Sequence, residues 1–190
     1  ISKHVFGHES HRTLFAALIV IIILGVSYFN HHPRTSEIYH AKYSTPEVFA
    51  KAVFAYDILE QRVLFEKNST ISLPLASLAK IMLSIVVLEH SQPKDTVIIT
   101  REAFDQPEDQ GLFVEEEWDV DDLVQFTILE SSNDAAYALA QYIGGIEETV
   151  RLMNLKAQEL GLTMKFENVS GLDTEDSVGA IGSAEDAARL

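Results

Sequence analysis

Residues 73–89 read Leu-Pro-Leu-Ala-Ser-Leu-Ala-Lys-Ile-Met-Leu-Ser-Ile-Val-Val-Leu-Glu, and this stretch decides the fold. From Asn68 to Leu88, Lys80 is the only charged residue. Apolar side chains lie on nearly every face of a helix drawn from about Ala76 to His90, which predicts a central helix covered on all sides. Burying an ammonium is costly unless it is paired or loses its proton. Ser77 precedes Lys80 by three residues, which on a helix places it on nearly the same face. A hydroxyl beside an amine of lowered pKa can become a nucleophile without a histidine. Serine and lysine are common residues, so the spacing by itself is a weak signal.

Working outward, a second polar triplet, Ser131-Ser132-Asn133, interrupts two predicted helices. The first starts at Asp119 as N-cap and repeats Val120, Leu123, Val124, Thr127 and Ile128 at helical spacing. The second is the alanine-rich Asp134–Ile143, broken by Gly144-Gly145. Such a break can expose side chains toward a site. Equally, Asn133 can simply cap the helix that follows, with Ser131 ending the one before. A further helix is predicted over residues 146–160, with the inner stripe Ile146, Val150, Met153, Ala157 and Leu160 and Gly161 as C-terminal stop. Ala50–Asp57 and Arg62–Lys67 read as strands joined by a short turn, Thr96–Thr100 as a short strand and Gly111–Trp118 as extended. Thr163–Glu167 reads as a strand, Gly171–Gly182 as a glycine-rich loop, and Ser183 to Asp186 as the opening of a last helix.

The 190 residues carry 29 acidic against 14 basic side chains, a formal charge of −15. That argues against a nucleic-acid partner, since phosphate binding needs a basic surface. With no cysteine there is no disulfide, thiolate metal site or cysteine nucleophile. Residues Thr13 to Pro33 are uncharged and just long enough to span a bilayer. The exit Val-Ser-Tyr-Phe-Asn-His-His-Pro fits a signal-peptidase site poorly. An uncleaved anchor over residues 1–34 is therefore expected, with the rest, 35–190, on the extracytoplasmic side; the few flanking charges, Lys3, Arg12 and Arg34, favour that orientation slightly. His31 and His32 on the following linker read as polar residues, not a metal site, and no cofactor is implied.

These segments together resemble a known family. The handful of motifs Ser-x-x-Lys, Ser-x-Asn and Lys-Thr-Gly mark penicillin-binding proteins and class A β-lactamases. Within that group the chain looks like the low-molecular-mass D-alanyl-D-alanine carboxypeptidases, peptidase family S11. The likeness covers about Pro46 to Leu190: the predicted hairpin, the stretch around Ser77, Ser-Ser-Asn-Asp-Ala-Ala-Tyr-Ala-Leu-Ala-Gln-Tyr-Ile-Gly-Gly, residues 152–173 and Ser-Ala-Glu-Asp-Ala-Ala-Arg-Leu, in order.

The resemblance implies an α/β fold of α+β type, β-lactamase/transpeptidase-like, with a central antiparallel sheet and a helical subdomain. It implies Ser77 as acylated nucleophile, Lys80 as its base, Ser131 as proton relay to the leaving group and Asn133 as substrate-binding amide. The substrate would be the D-Ala-D-Ala end of a peptidoglycan stem peptide, and β-lactams would acylate the same serine. Neither Lys-Thr-Gly nor Lys-Ser-Gly occurs in these 190 residues. A chain cut short before the later strands, inactive by itself, is therefore expected. Ala79 and Ser132 also depart from the commoner threonine and glycine. The alternatives are a DD-endopeptidase of the same family, a class A-like β-lactamase using a further glutamate such as Glu167, and a non-catalytic membrane-tethered wall-binding homologue.

Overall fold

The computed structural model of the chain describes residues 47–108 and 111–190. The expected membrane anchor and the pair His31–His32 lie outside these residues. No helix among the described residues is long and apolar enough to cross a membrane.

The chain alternates short strands and helices, as an α+β protein does. Strands β1 (Val53–Asp57) and β2 (Arg62–Lys67) form an antiparallel hairpin with an irregularity at Ala55/Tyr56. Its turn has no Asn-Gly pair. Instead the Asp57 carboxylate accepts from the N–H groups of Leu59 and Glu60, and Gln61 takes φ +51°. Next comes β3 (Leu73–Pro74), a 3₁₀ turn over Ala76–Leu78, then α1 (Ala79–His90). The predicted single helix from Ala76 is thus a 3₁₀ entry plus an α-helix. In α1, Ala79, Lys80, Met82, Leu83, Ser84, Val86 and Val87 are buried. The all-round cover expected for this helix holds until its last turn, where Leu88 is half exposed.

Strand β4 (Thr96–Ile98) pairs antiparallel with β5 (Glu117–Asp119). Between them lies α2 (Arg101–Phe104), which the sequence reading missed. It is one turn long, and the Thr100 hydroxyl caps it by accepting from the Ala103 N–H at 3.1 Å. The extended run expected over Gly111–Trp118 shrinks to the three residues of β5. Asp119 does stand at the N-cap of α3 (Val120–Leu129), but its carboxylate does not cap the helix; it pairs with Lys94 at 2.6 Å.

Helix α4 (Asn133–Tyr142) follows after a three-residue break, then α5 (Ile146–Glu159). Their joint is Gly144-Gly145, at φ +133° and +99°. Helix α1 packs against α3, α4 and α5, so the helices close around it. The small alanines 135, 136, 138 and 140, all buried, allow this close approach. On α5, Met153 and Ala157 are buried as predicted, whereas Leu160 is half exposed.

The chain ends with β6 (Lys165–Phe166), β7 (Ala180–Gly182) and α6 (Ala184–Arg189). Strand β7 lies inside what was read as loop, and it pairs with β3 on one side and β6 on the other. Helix α6 opens on a reciprocal Ser183–Asp186 capping box. The strands therefore form three small antiparallel sheets, β1-β2, β3-β7-β6 and β4-β5. The single central sheet expected from the resemblance is absent among the described residues.

Candidate active site

Strand β3 delivers the chain to the start of α1. Leu75 donates its N–H to the Ala180 carbonyl at 2.9 Å and buries its side chain, and Ala76 turns through φ +48°. Ser77 then sits exposed in the 3₁₀ turn, at the head of α1, most of whose residues are buried. Lys80 follows one turn later and is only 2% exposed. Its Nζ lies 3.1 Å from Ser77 Oγ and donates to the Ser170 carbonyl at 3.3 Å.

Burial holds the Lys80 amine below the usual lysine range, while the charge of Glu108 acts in the opposite direction. The neutral amine can accept the Ser77 hydroxyl proton across the same 3.1 Å. The pairing inferred from three-residue spacing is therefore a contact.

Ser77, Lys80 and Ser131 all line one open cleft of about 430 Å³. Its apolar side is made by Leu75, Leu78, Ile81 and Ile128. Ile128, expected on the inner stripe of α3, is in fact 45% exposed and belongs to this wall. Ser131 reaches the cleft because the α3–α4 break turns through φ +57° at this residue. The N-cap of α4 is Ser132, whose hydroxyl accepts from the Ala135 N–H at 3.1 Å. The capping role left open for Asn133 thus falls to its neighbour. Asn133 is the first helical residue, 5% exposed, and its amide donates to the Pro107 carbonyl at 2.9 Å. It does not line the cleft with the other three.

Two further contributors received no role from the sequence. One is the loop carrying Pro107 and Glu108, which bonds α4 through the Pro107 carbonyl and acts on the lysine through the charge of Glu108. The other is the turn at Ser170-Gly171. Gly171 has φ +77°, and a Cβ there would stand 1.9 Å from the Ala76 carbonyl oxygen. Glycine lets this turn press directly on the backbone preceding the serine. The signal was present in the isolated glycine of Asn-Val-Ser-Gly-Leu-Asp, but nothing local said what it would touch. Glu167, the candidate glutamate of the β-lactamase alternative, is exposed, pairs with Lys165 at 2.6 Å and does not line the cleft.

Residues 39–190 match the family model described as D-alanyl-D-alanine carboxypeptidase. A D-alanyl-D-alanine carboxypeptidase of Bacillus subtilis (strain 168) is 35% identical over 164 residues, covering 82% of this chain and 39% of the relative. The crystal structure of a D-alanyl-D-alanine carboxypeptidase from Mycobacterium tuberculosis is similar with TM-score 0.72 at 29% identity, over 77% of this chain and 56% of that one. A penicillin-binding protein of Listeria monocytogenes in its cefotaxime-bound form is similar with TM-score 0.66 at 27% identity, over 76% of this chain and 62% of that one. The chain spans about two fifths of the length of the curated relative from B. subtilis.

Proposed function

The chain belongs to the D-alanyl-D-alanine carboxypeptidase family, and on that premise we propose that it carries the nucleophile half of a serine-type D-Ala-D-Ala carboxypeptidase. The observation that carries this reading is the 3.1 Å contact between a buried amine and an exposed serine hydroxyl, open to a cleft that also holds Ser131.

In this reading the neutral Lys80 Nζ removes the Ser77 proton as Oγ bonds to the carbonyl carbon of the penultimate D-alanine. The tetrahedral intermediate collapses with loss of the C–N bond. The leaving amine takes a proton relayed through Ser131, and terminal D-alanine departs. Water then hydrolyses the ester on Ser77, with the lysine again moving the proton. A general base of this kind is worth roughly 10²- to 10⁴-fold in rate. A β-lactam opens its ring on the same serine by the same first step. The similarity to a cefotaxime-bound relative supports this part of the reading. Asn133 would serve substrate binding once its amide is released from the Pro107 carbonyl.

We further assign residues 1–34 to a membrane anchor and residues 35–190 to the extracytoplasmic catalytic region, on the strength of the uncharged run Thr13–Pro33. Neither Lys-Thr-Gly nor Lys-Ser-Gly occurs in the 190 residues, so the chain by itself is expected to hydrolyse a D-Ala-D-Ala peptide negligibly. The test is labelling of the full-length gene product with a fluorescent penicillin, followed by peptide mapping. An adduct on Ser77 that persists for many minutes is the expected result. No adduct would point to the wall-binding homologue, and rapid turnover of the adduct to a β-lactamase.

A further inference from the structure

The proposed reaction uses Ser77, Lys80 and Ser131, yet the second acceptor of Lys80 comes from a segment 90 residues downstream. The Ser170 carbonyl receives Nζ at 3.3 Å. A backbone carbonyl can hold an amine in place only if its own peptide plane is fixed. One side chain fixes it. Asn168 Oδ1 accepts from the Gly171 N–H at 2.7 Å and from the Ser170 hydroxyl at 3.4 Å. Asn168 Nδ2 donates to the Leu172 carbonyl at 2.8 Å. Three consecutive residues of the turn are thus tied to one amide group.

The amide is itself anchored. The backbone N–H groups of Glu167 and Asn168 both donate to the Gly179 carbonyl, at 2.9 and 3.2 Å, and the Gly179 N–H donates to Asp173 Oδ1 at 2.9 Å. Val169 is buried beside it. The same turn carries Gly171, whose Cα lies against the Ala76 carbonyl, one residue before the nucleophile. Asn168 therefore governs both the acceptor that orients the amine and the surface that seats the serine's turn.

We propose that Asn168 is a positioning residue for the Lys80–Ser77 pair, acting through the Ser170 carbonyl and the packing of Gly171 on Ala76. It touches neither substrate nor the reacting atoms. The inference rests on the acylating role proposed for Ser77, and it adds a residue that role does not require.

Asn154 provides a matched control. Its side chain also makes three hydrogen bonds to backbone: Nδ2 to the Val150 and Phe166 carbonyls at 2.9 and 2.8 Å, and Oδ1 from the Phe166 N–H at 3.0 Å. It ties α5 to β6 without meeting the Ser170 turn. A structural asparagine and a positioning asparagine should therefore part company in one experiment.

In the full-length gene product, the rate constant for acylation by a β-lactam is measured under saturation, together with the half-saturating concentration. Asn168→Ala should lower the saturating rate constant by about tenfold to 100-fold, since an ångström-scale misplacement of a reacting group costs this much. The half-saturating concentration should stay unchanged. Asn154→Ala should lower Tm but leave the rate constant of the folded protein at the wild-type value. If Asn168→Ala and Asn154→Ala both change Tm alone, the inference is overturned. If Asn168→Ala does not fold, Asn168→Leu decides, because it fills nearly the same volume and removes every hydrogen bond from this side chain to the turn. A wild-type rate constant in that variant overturns the inference too.

NMR titration of the Lys80 ε-carbon reads the same contact with no catalysis. Loss of the carbonyl acceptor withdraws a partner from the ammonium, so the midpoint should fall in Asn168→Ala and hold in Asn154→Ala. Wild-type protein that is never acylated, with the fall still seen in Asn168→Ala, would sink the acylation reading alone. An unmoved midpoint would sink the inference alone.

Discussion

At the scale of single residues, the site depends on an amine that burial keeps from holding its proton. Lys80 is 2% exposed, and desolvation outweighs the opposing charge of Glu108. Acylation in the full-length protein should therefore rise with pH, with its midpoint below the ordinary lysine value of about 10.4. A flat profile across that range would contradict the role of Lys80 as base. Lys80→Met should cut acylation by about 10²- to 10⁴-fold in a stopped-flow assay. The sign of its effect on stability is opposite. The folded-state pKa is depressed, so the unfolded chain binds more protons below the ordinary lysine pKa, and folding is disfavoured there. The penalty is relieved fully only above that pKa. Lys80→Met should thus leave Tm near neutral pH unchanged or raised, and a large fall would argue against the burial cost. Ser77→Ala should remove the penicillin adduct while leaving far-ultraviolet circular dichroism intact.

At the scale of elements, two contacts can be tested, one at the nucleophile's turn and one at the start of α6. Gly171→Ala would put a methyl group 1.9 Å from the Ala76 carbonyl and demand φ +77° of an alanine. It should destabilise the protein by roughly 1–3 kcal/mol in urea denaturation and reduce acylation with it. The start of α6 is the second. Burial would raise the carboxyl pKa of Asp186, but hydrogen bonds from the hydroxyl and N–H of Thr163 and of Ser183 carry it below the usual range. A depressed carboxylate stabilises the fold fully above its unfolded value of about 3.9 and loses that effect as pH falls through the folded value. The drop in Tm on acidification should therefore be shallower in Asp186→Asn, with a lower starting Tm. Equal slopes in the two proteins would refute this. The opening of α6 at Ser183 to Asp186 was legible, because these residues lie three apart and satisfy each other locally. Helix α2 was missed: it is a single turn whose one cue, Thr100, has no apolar repeat behind it. Strand β7 was missed because it is only three residues long and one of its partners, β3, lies far along the chain.

At the scale of the whole molecule, a formal charge of −15 implies self-repulsion that salt should relieve. Tm should rise modestly between low and moderate sodium chloride, and binding to heparin resin should be absent; retention on that resin would contradict the reading of the surface. Local patterns in the chain were enough to specify α1, α3, α4 and α5, since an apolar stripe, a cap and a glycine stop all act within a few residues. The Ser77–Lys80 pair was equally legible, because one helical turn sets its separation. Tertiary structure alone decided that Ser131 opens to the cleft while Asn133 turns to Pro107, and that Ser170 supplies the lysine's second partner. Those outcomes depend on backbone folds brought together across 26 to 90 residues, and no short-range preference encodes which distant carbonyl will arrive.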